Sequence, residues 1–101
     1  MENSKIFAVI RTRGGAWQTA IGLEQQAEWG GHARFMNTLQ KEGLVLLGGP
    51  LEGTSDVLLI MRAATPEEIA ARLEADPWTG MDLLRVARIS LWNIRLGSLA
   101  A

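Results

Sequence analysis

The chain has no cysteine, no tyrosine and a single histidine among its 101 residues. Without cysteine there is no disulfide scaffold, no thiolate nucleophile and no cysteine-based zinc or iron–sulfur site. One histidine and scattered carboxylates offer no ligand cluster, so no metal is expected. Charge of one sign is lacking too: ten basic and eleven acidic residues leave a formal net charge of −1. That balance gives no electrostatic footprint for nucleic acid or an anionic membrane. No apolar run approaches the length of a membrane span, and Ile6–Ile10 is too short for a signal core, so the cytoplasm is the expected compartment. The glycine pairs Gly14-Gly15 and Gly48-Gly49 lack the spacing and the following lysine that cradle a phosphate, and no cofactor is expected.

What is present is a globular composition, 48% apolar against 21% charged, in a length that suits one domain over 1–101 with a core over 5–96 and a fraying tail at 97–101. Lys5–Thr12 is apolar and β-branched and stops at Gly14-Gly15, which predicts a first strand. A loop follows to about Gly22. Glu24–Trp29 has helix-forming composition interrupted by Gly30-Gly31, predicting a short helix, a kink and a main helix over about 31–42, with Phe35, Met36 and Leu39 facing the core and Gly43 after its end. Leu44–Leu47 reads as a buried strand that bends at Gly48-Gly49-Pro50. Asp56–Ala63 is its antiparallel hairpin partner. Thr65-Pro66-Glu67-Glu68 predicts a helix start, and Asp76-Pro77 a stop. A loop from Trp78 to Met81 precedes a long strand over Leu83–Leu96.

The order βαββαβ is the ferredoxin-like α+β arrangement, a four-stranded antiparallel sheet with both helices on one face. Strands one to three carry apolar residues at both parities, so the second face also needs cover. A second copy packed sheet to sheet, a dimeric α+β barrel, is the simplest one.

Two landmarks carry chemistry. His32 opens the main helix, and Asp76 precedes Pro77-Trp78 far downstream. Brought together, they form an acid/base pair beside an apolar sheet. Each has a plainer reading, His32 as a surface or satisfied core residue and Asp76 as a helix stop accepting turn amides, and proximity separates the readings. Four tryptophans (17, 29, 78 and 92) stack ligands or fill cores and subunit contacts. Trp78 is the pocket candidate and Trp92 the dimer candidate. Arg11, Arg62, Arg85 and Arg88 lie on or beside strands, where an arginine can hold a carboxylate or phenolate.

Taken jointly, His32, Gly43, Gly49-Pro50 and Ala75-Asp76-Pro77-Trp78 resemble the landmarks of the YCII-related (YciI-like) family. The likeness spans about Lys5 to Arg95, and the chain departs from the pattern in Gly30-Gly31 before the histidine. The resemblance implies a dimeric α+β barrel with a His/Asp site, carried over to His32 and Asp76. The expected function is a small cytoplasmic enzyme, a lyase, isomerase or dehydrohalogenase, moving a proton on an aromatic or lactone-like molecule. His32 and Asp76 are the expected catalytic pair, with Gly49, Pro50, Trp78, Phe35 and Arg88 against the substrate. The alternative is a non-catalytic ligand-binding or accessory domain using the same cavity. Expected partners are a small molecule and a second copy through the sheet face, with no nucleic acid and no membrane.

Overall fold

A computed structural model describes residues 4–99. Strands β1 (Lys5–Arg13), β2 (Val45–Pro50), β3 (Asp56–Ala63) and β4 (Leu84–Leu91) alternate with helices α1 (Trp29–Lys41), α2 (Pro66–Glu74) and the one-turn α3 (Pro77–Gly80). The strands form one antiparallel sheet in the order β2-β3-β1-β4. This is the expected α+β arrangement, with the first strand in the centre and β2 and β4 at the edges.

Period-two alternation decides the faces of β1. Phe7, Val9 and Arg11 are buried, while Ile6, Ala8 and Ile10 between them are only half-buried. Pairing carries the division into β3, where Val57, Leu59, Met61 and Ala63 share the face of Phe7 and Val9. Leu39 of α1 and Ile69 and Leu73 of α2 close over that face as the main core. Each fully buried aliphatic there contributes roughly 1.5–3 kcal/mol relative to exposure. The opposite face presents Ile6, Ala8, Ile10 and Leu58, and among the described residues no helix covers it.

Helix α2 begins as expected, with Thr65 Oγ1 accepting from Glu68 N at 3.2 Å and Pro66 at the first helical position. Gly43 follows α1 with φ 82°. Four expectations are corrected. Gly30-Gly31 does not kink a helix: a 3-10 turn at Leu23–Gln25 ends before Glu28, whose left-handed φ of 57° turns the chain, and both glycines lie in the first turn of α1. The second strand does not end at a bend but runs through Gly48-Gly49 to Pro50, with a bulge between Val45 and Leu47. A Cβ at 48 would stand 2.7 Å from Leu59 Cδ2, so that methyl would have to shift to admit one, and Pro50 is tolerated on an edge strand. The expected loop after Pro77 is helical, because Asp76 caps it: Oδ1 accepts from Trp78 N at 3.0 Å. The last strand starts at Leu84 and stops at Leu91, after which Trp92 N still donates to Ile6 O. Part of the expected tail, residues 100–101, lies outside the described residues.

Candidate functional site

Asp76 is the centre of the site, and its two oxygens do different work. Oδ1 caps α3, as above. Oδ2 accepts from Arg11 Nη1 at 2.8 Å and lies 2.8 Å from His32 Nδ1. Three elements remote in sequence thus meet on one carboxylate: the central strand, the first turn of α1 and the cap of α3. Arg11 is placed there by parity, being the third residue of the Phe7–Val9–Arg11 row. A bulge opposite it, where β4 slips register between Arg88 and Val86, is the kind of irregularity that re-aims a side chain. Arg11 Nη2 donates to Thr79 Oγ1 at 2.9 Å, and that hydroxyl donates to Leu73 O at 2.7 Å, which fixes the guanidinium to α2 and α3 together.

The Arg11 and Asp76 side chains are 1% and 0% exposed. Burial pushes the Asp76 carboxyl up, but hydrogen bonds from His32, Arg11 and the Trp78 amide, with the His32 charge, more than offset it and hold the group below its usual range. The carboxylate is therefore ionised at neutral pH.

The His32 ring lies flat on Trp78, with centroids 3.9 Å apart and planes 5° apart, and Trp29 tilts against both rings. Trp78 is itself fixed by its Nε1 donating to Ala27 O at 2.6 Å and by Trp17 edge-on at 5.6 Å. The imidazole is held by a hydrogen bond at one nitrogen and a ring on one face. With Nδ1 engaged by Asp76, Nε2 is the nitrogen left for chemistry; among the described residues nothing bonds to it.

A cavity of about 440 Å³ opens between α1 and the helix-covered sheet face, and His32, Arg11, Trp17, Trp29, Trp78 and Met36 line it. The volume suits a small-molecule site. The stretch from Ala16 to Ala27 forms part of its wall through Trp17 and Leu23, and is pinned by buried Gln26, whose side chain bonds Gln18 N at 3.1 Å and Gln18 O at 2.8 Å. Among the described residues no group of three or more acidic or histidine side chains could hold a metal ion.

The fold has a counterpart among solved structures. The 5-chloro-2-hydroxyhydroquinone dehydrochlorinase of Burkholderia phenoliruptrix AC1100, in complex with 2,5-dihydroxybenzoquinone, superposes with a TM-score of 0.62 at 22% identity, covering 91% of this chain and 95% of that one. At that identity the likeness shows the fold. No family model matches the chain, and no curated protein matches it.

Of the residues singled out from the sequence, the structure brings His32, Asp76 and Trp78 into contact and places Gly49 and Pro50 on the cavity wall. Two others are elsewhere. Phe35 packs against the main core, one helical position round from the cavity-lining Met36. Arg88 pairs with Ile10 and so belongs to the opposite sheet face, where it is exposed. The arginine at the site is Arg11, whose signal was its parity with Phe7 and Val9. Trp17 and Trp29 carried no comparable signal, since the path of the loop that brings them in has no periodicity to read.

Proposed function

We propose that this chain is a single-domain cytoplasmic enzyme of the YCII-related kind, performing acid/base proton transfer on a small conjugated ring. The observation that carries the reading is the engagement of His32 Nδ1 by a buried, ionised Asp76 on the wall of an aromatic-lined cavity. Asp76 fixes the tautomer that leaves Nε2 as base and stabilises the imidazolium formed when Nε2 takes a proton. Arg11 holds Asp76 in place. The flat walls of Trp17 and Trp29 suit a planar ligand. In an elimination, Nε2 takes a proton from the substrate, the freed electron pair completes a new double bond, and the leaving group departs with its own pair. The reaction for which the structural neighbour is named, a dehydrochlorination, is of this type. The active form we propose is a homodimer joined through the open sheet face.

The test uses 5-chloro-2-hydroxyhydroquinone under exclusion of air, with chloride release as the readout. Turnover is expected, and His32→Gln lowers it about 10²–10⁴-fold, the usual worth of a positioned base, with the fold unchanged by circular dichroism. A chain that binds the compound but releases no chloride in a His32-dependent way is a binding domain instead.

A further inference from the structure

Asp76-Pro77-Trp78-Thr79 runs past the acid/base pair, and its first three residues already have a part there: Asp76 bonds His32, Pro77 starts α3 and Trp78 lies against the imidazole. Thr79 is not on the cavity wall. Its hydroxyl accepts from Arg11 Nη2 at 2.9 Å and donates to Leu73 O at 2.7 Å. The same carbonyl accepts from Asp76 N at 3.1 Å. One acceptor at the end of α2 therefore anchors both the backbone of Asp76 and the hydroxyl that holds its partner Arg11.

Arg11 depends on that hydroxyl. Its Nη1 reaches Asp76 Oδ2 and its Nη2 reaches Thr79, while Nε has no hydrogen-bond partner among the described residues. Bonds from two nitrogens to two different acceptors fix the plane of a guanidinium, whereas a single bond is a pivot. The side chain is 1% exposed, so solvent does not replace a lost acceptor. Oδ2 of Asp76 already receives both Arg11 Nη1 and His32 Nδ1, each at 2.8 Å.

We propose that Thr79 is a positioning residue for the acid/base pair, fixing the plane of Arg11 so that Asp76 Oδ2 stays aligned on His32 Nδ1. This rests on the functional reading above and adds a residue to its machinery that never meets the substrate. Without the hydroxyl, the freed Nη2 turns toward Oδ2 and competes with His32 for that oxygen. The hydroxyl is the necessary part of the side chain. It donates to Leu73 O and still offers a lone pair to Arg11, which serine can also do and valine and alanine cannot.

The test uses Thr79→Ser, Thr79→Val and Thr79→Ala, each checked for fold by circular dichroism. With chloride release as the readout, Thr79→Val and Thr79→Ala are expected to lower kcat at least about tenfold, a modest misplacement of a reacting group, and to leave KM within about twofold. Thr79→Ser is expected to keep most of the turnover. A second readout needs no turnover. His32 is the sole histidine, and its ring lies 3.9 Å from that of Trp78, so the indole ring current displaces its proton NMR signals. Thr79→Val and Thr79→Ala are expected to move those signals and Thr79→Ser to leave them in place. Unmoved histidine signals or an undiminished kcat in folded Thr79→Val and Thr79→Ala, a Thr79→Ser as impaired as Thr79→Val, or loss of fold in both hydroxyl-free variants would overturn the proposal. The two readings fail separately. A wild type that releases no chloride refutes only the functional reading, and the histidine signals then decide on Thr79; His32-dependent turnover indifferent to Thr79→Val refutes only the positioning role.

Discussion

The carboxylate of Asp76 serves a helix cap, an arginine and a histidine, so its replacement has consequences of two kinds. In Asp76→Asn the guanidinium of Arg11 stays buried without its counter-charge. Breaking a buried pair in this way costs about 3–5 kcal/mol, a large part of the 5–15 kcal/mol typical of a domain, and urea denaturation should show it. His32→Gln leaves the Arg11–Asp76 pair intact and should cost far less, which makes it the cleaner variant for chemistry. The sign of the pH effect follows from the depressed Asp76 carboxyl. A folded-state value below the unfolded one of about 3.9 contributes stability that is present above about pH 4 and is lost as pH falls through the folded value. Wild-type stability should therefore fall on acidification below about pH 4, and Asp76→Asn should flatten that limb. Denaturation midpoints collected across the acid range measure it.

At the scale of elements, the contact between α1 and α3 sets the reach from His32 to Asp76, and Gly31 sets that contact. A Cβ at 31 would stand 2.9 Å from Glu28 Oε1, a movable end, but 3.4 Å from Pro77 Cγ, which is part of the ring that starts α3. Gly31→Ala should gain helix propensity, up to about 1 kcal/mol, and lose it again in pushing the helices apart. The expected result is a nearly unchanged melting temperature with turnover reduced. Gly30→Ala is the control. There a Cβ meets only Arg34 Nη1 at 3.4 Å, so melting temperature should rise and turnover hold. Of the glycine pair that read as a kink, Gly31 thus marks where α1 comes near Pro77, a fact that sequence spacing does not encode. The strands, the Thr65-Pro66 helix start and the His32 and Asp76 landmarks were legible because each has a local cause: alternation, a cap or a proline. The cluster around Asp76 was legible as His32, Asp76 and Trp78, while Arg11 stood among four arginines with nothing to choose between them. Arg11 required knowing which parity of β1 faces the helices, and that depends on where α1 and α2 pack. Arg88 was misread for the same reason.

For the whole molecule, the sheet leaves Ile6, Ala8, Ile10 and Leu58 on the face away from the helices, and Leu47 and Trp92 are 58% and 44% exposed. Apolar side chains on a face that no helix covers are what a second copy would bury, which supports the proposed homodimer. Sedimentation equilibrium at micromolar concentration should give twice 11.0 kDa, and Ile10→Asp should shift it toward monomer while lowering the denaturation midpoint, because association and folding are linked. A folded, monodisperse wild-type monomer would remove the dimer. The same topology has a temporal consequence. Arg11 sits on the first strand, and its partner Asp76 lies 65 residues later. At synthesis rates of about 5–20 residues per second, the arginine waits roughly 3–13 s for its carboxylate to be made. Until then a cationic side chain in the middle of the future core favours hydration over collapse, and β1 has its β3 neighbour but not yet β4 on its other side. Helix α1 and the β2–β3 hairpin are free to form in that interval, so the acid/base cluster assembles after them.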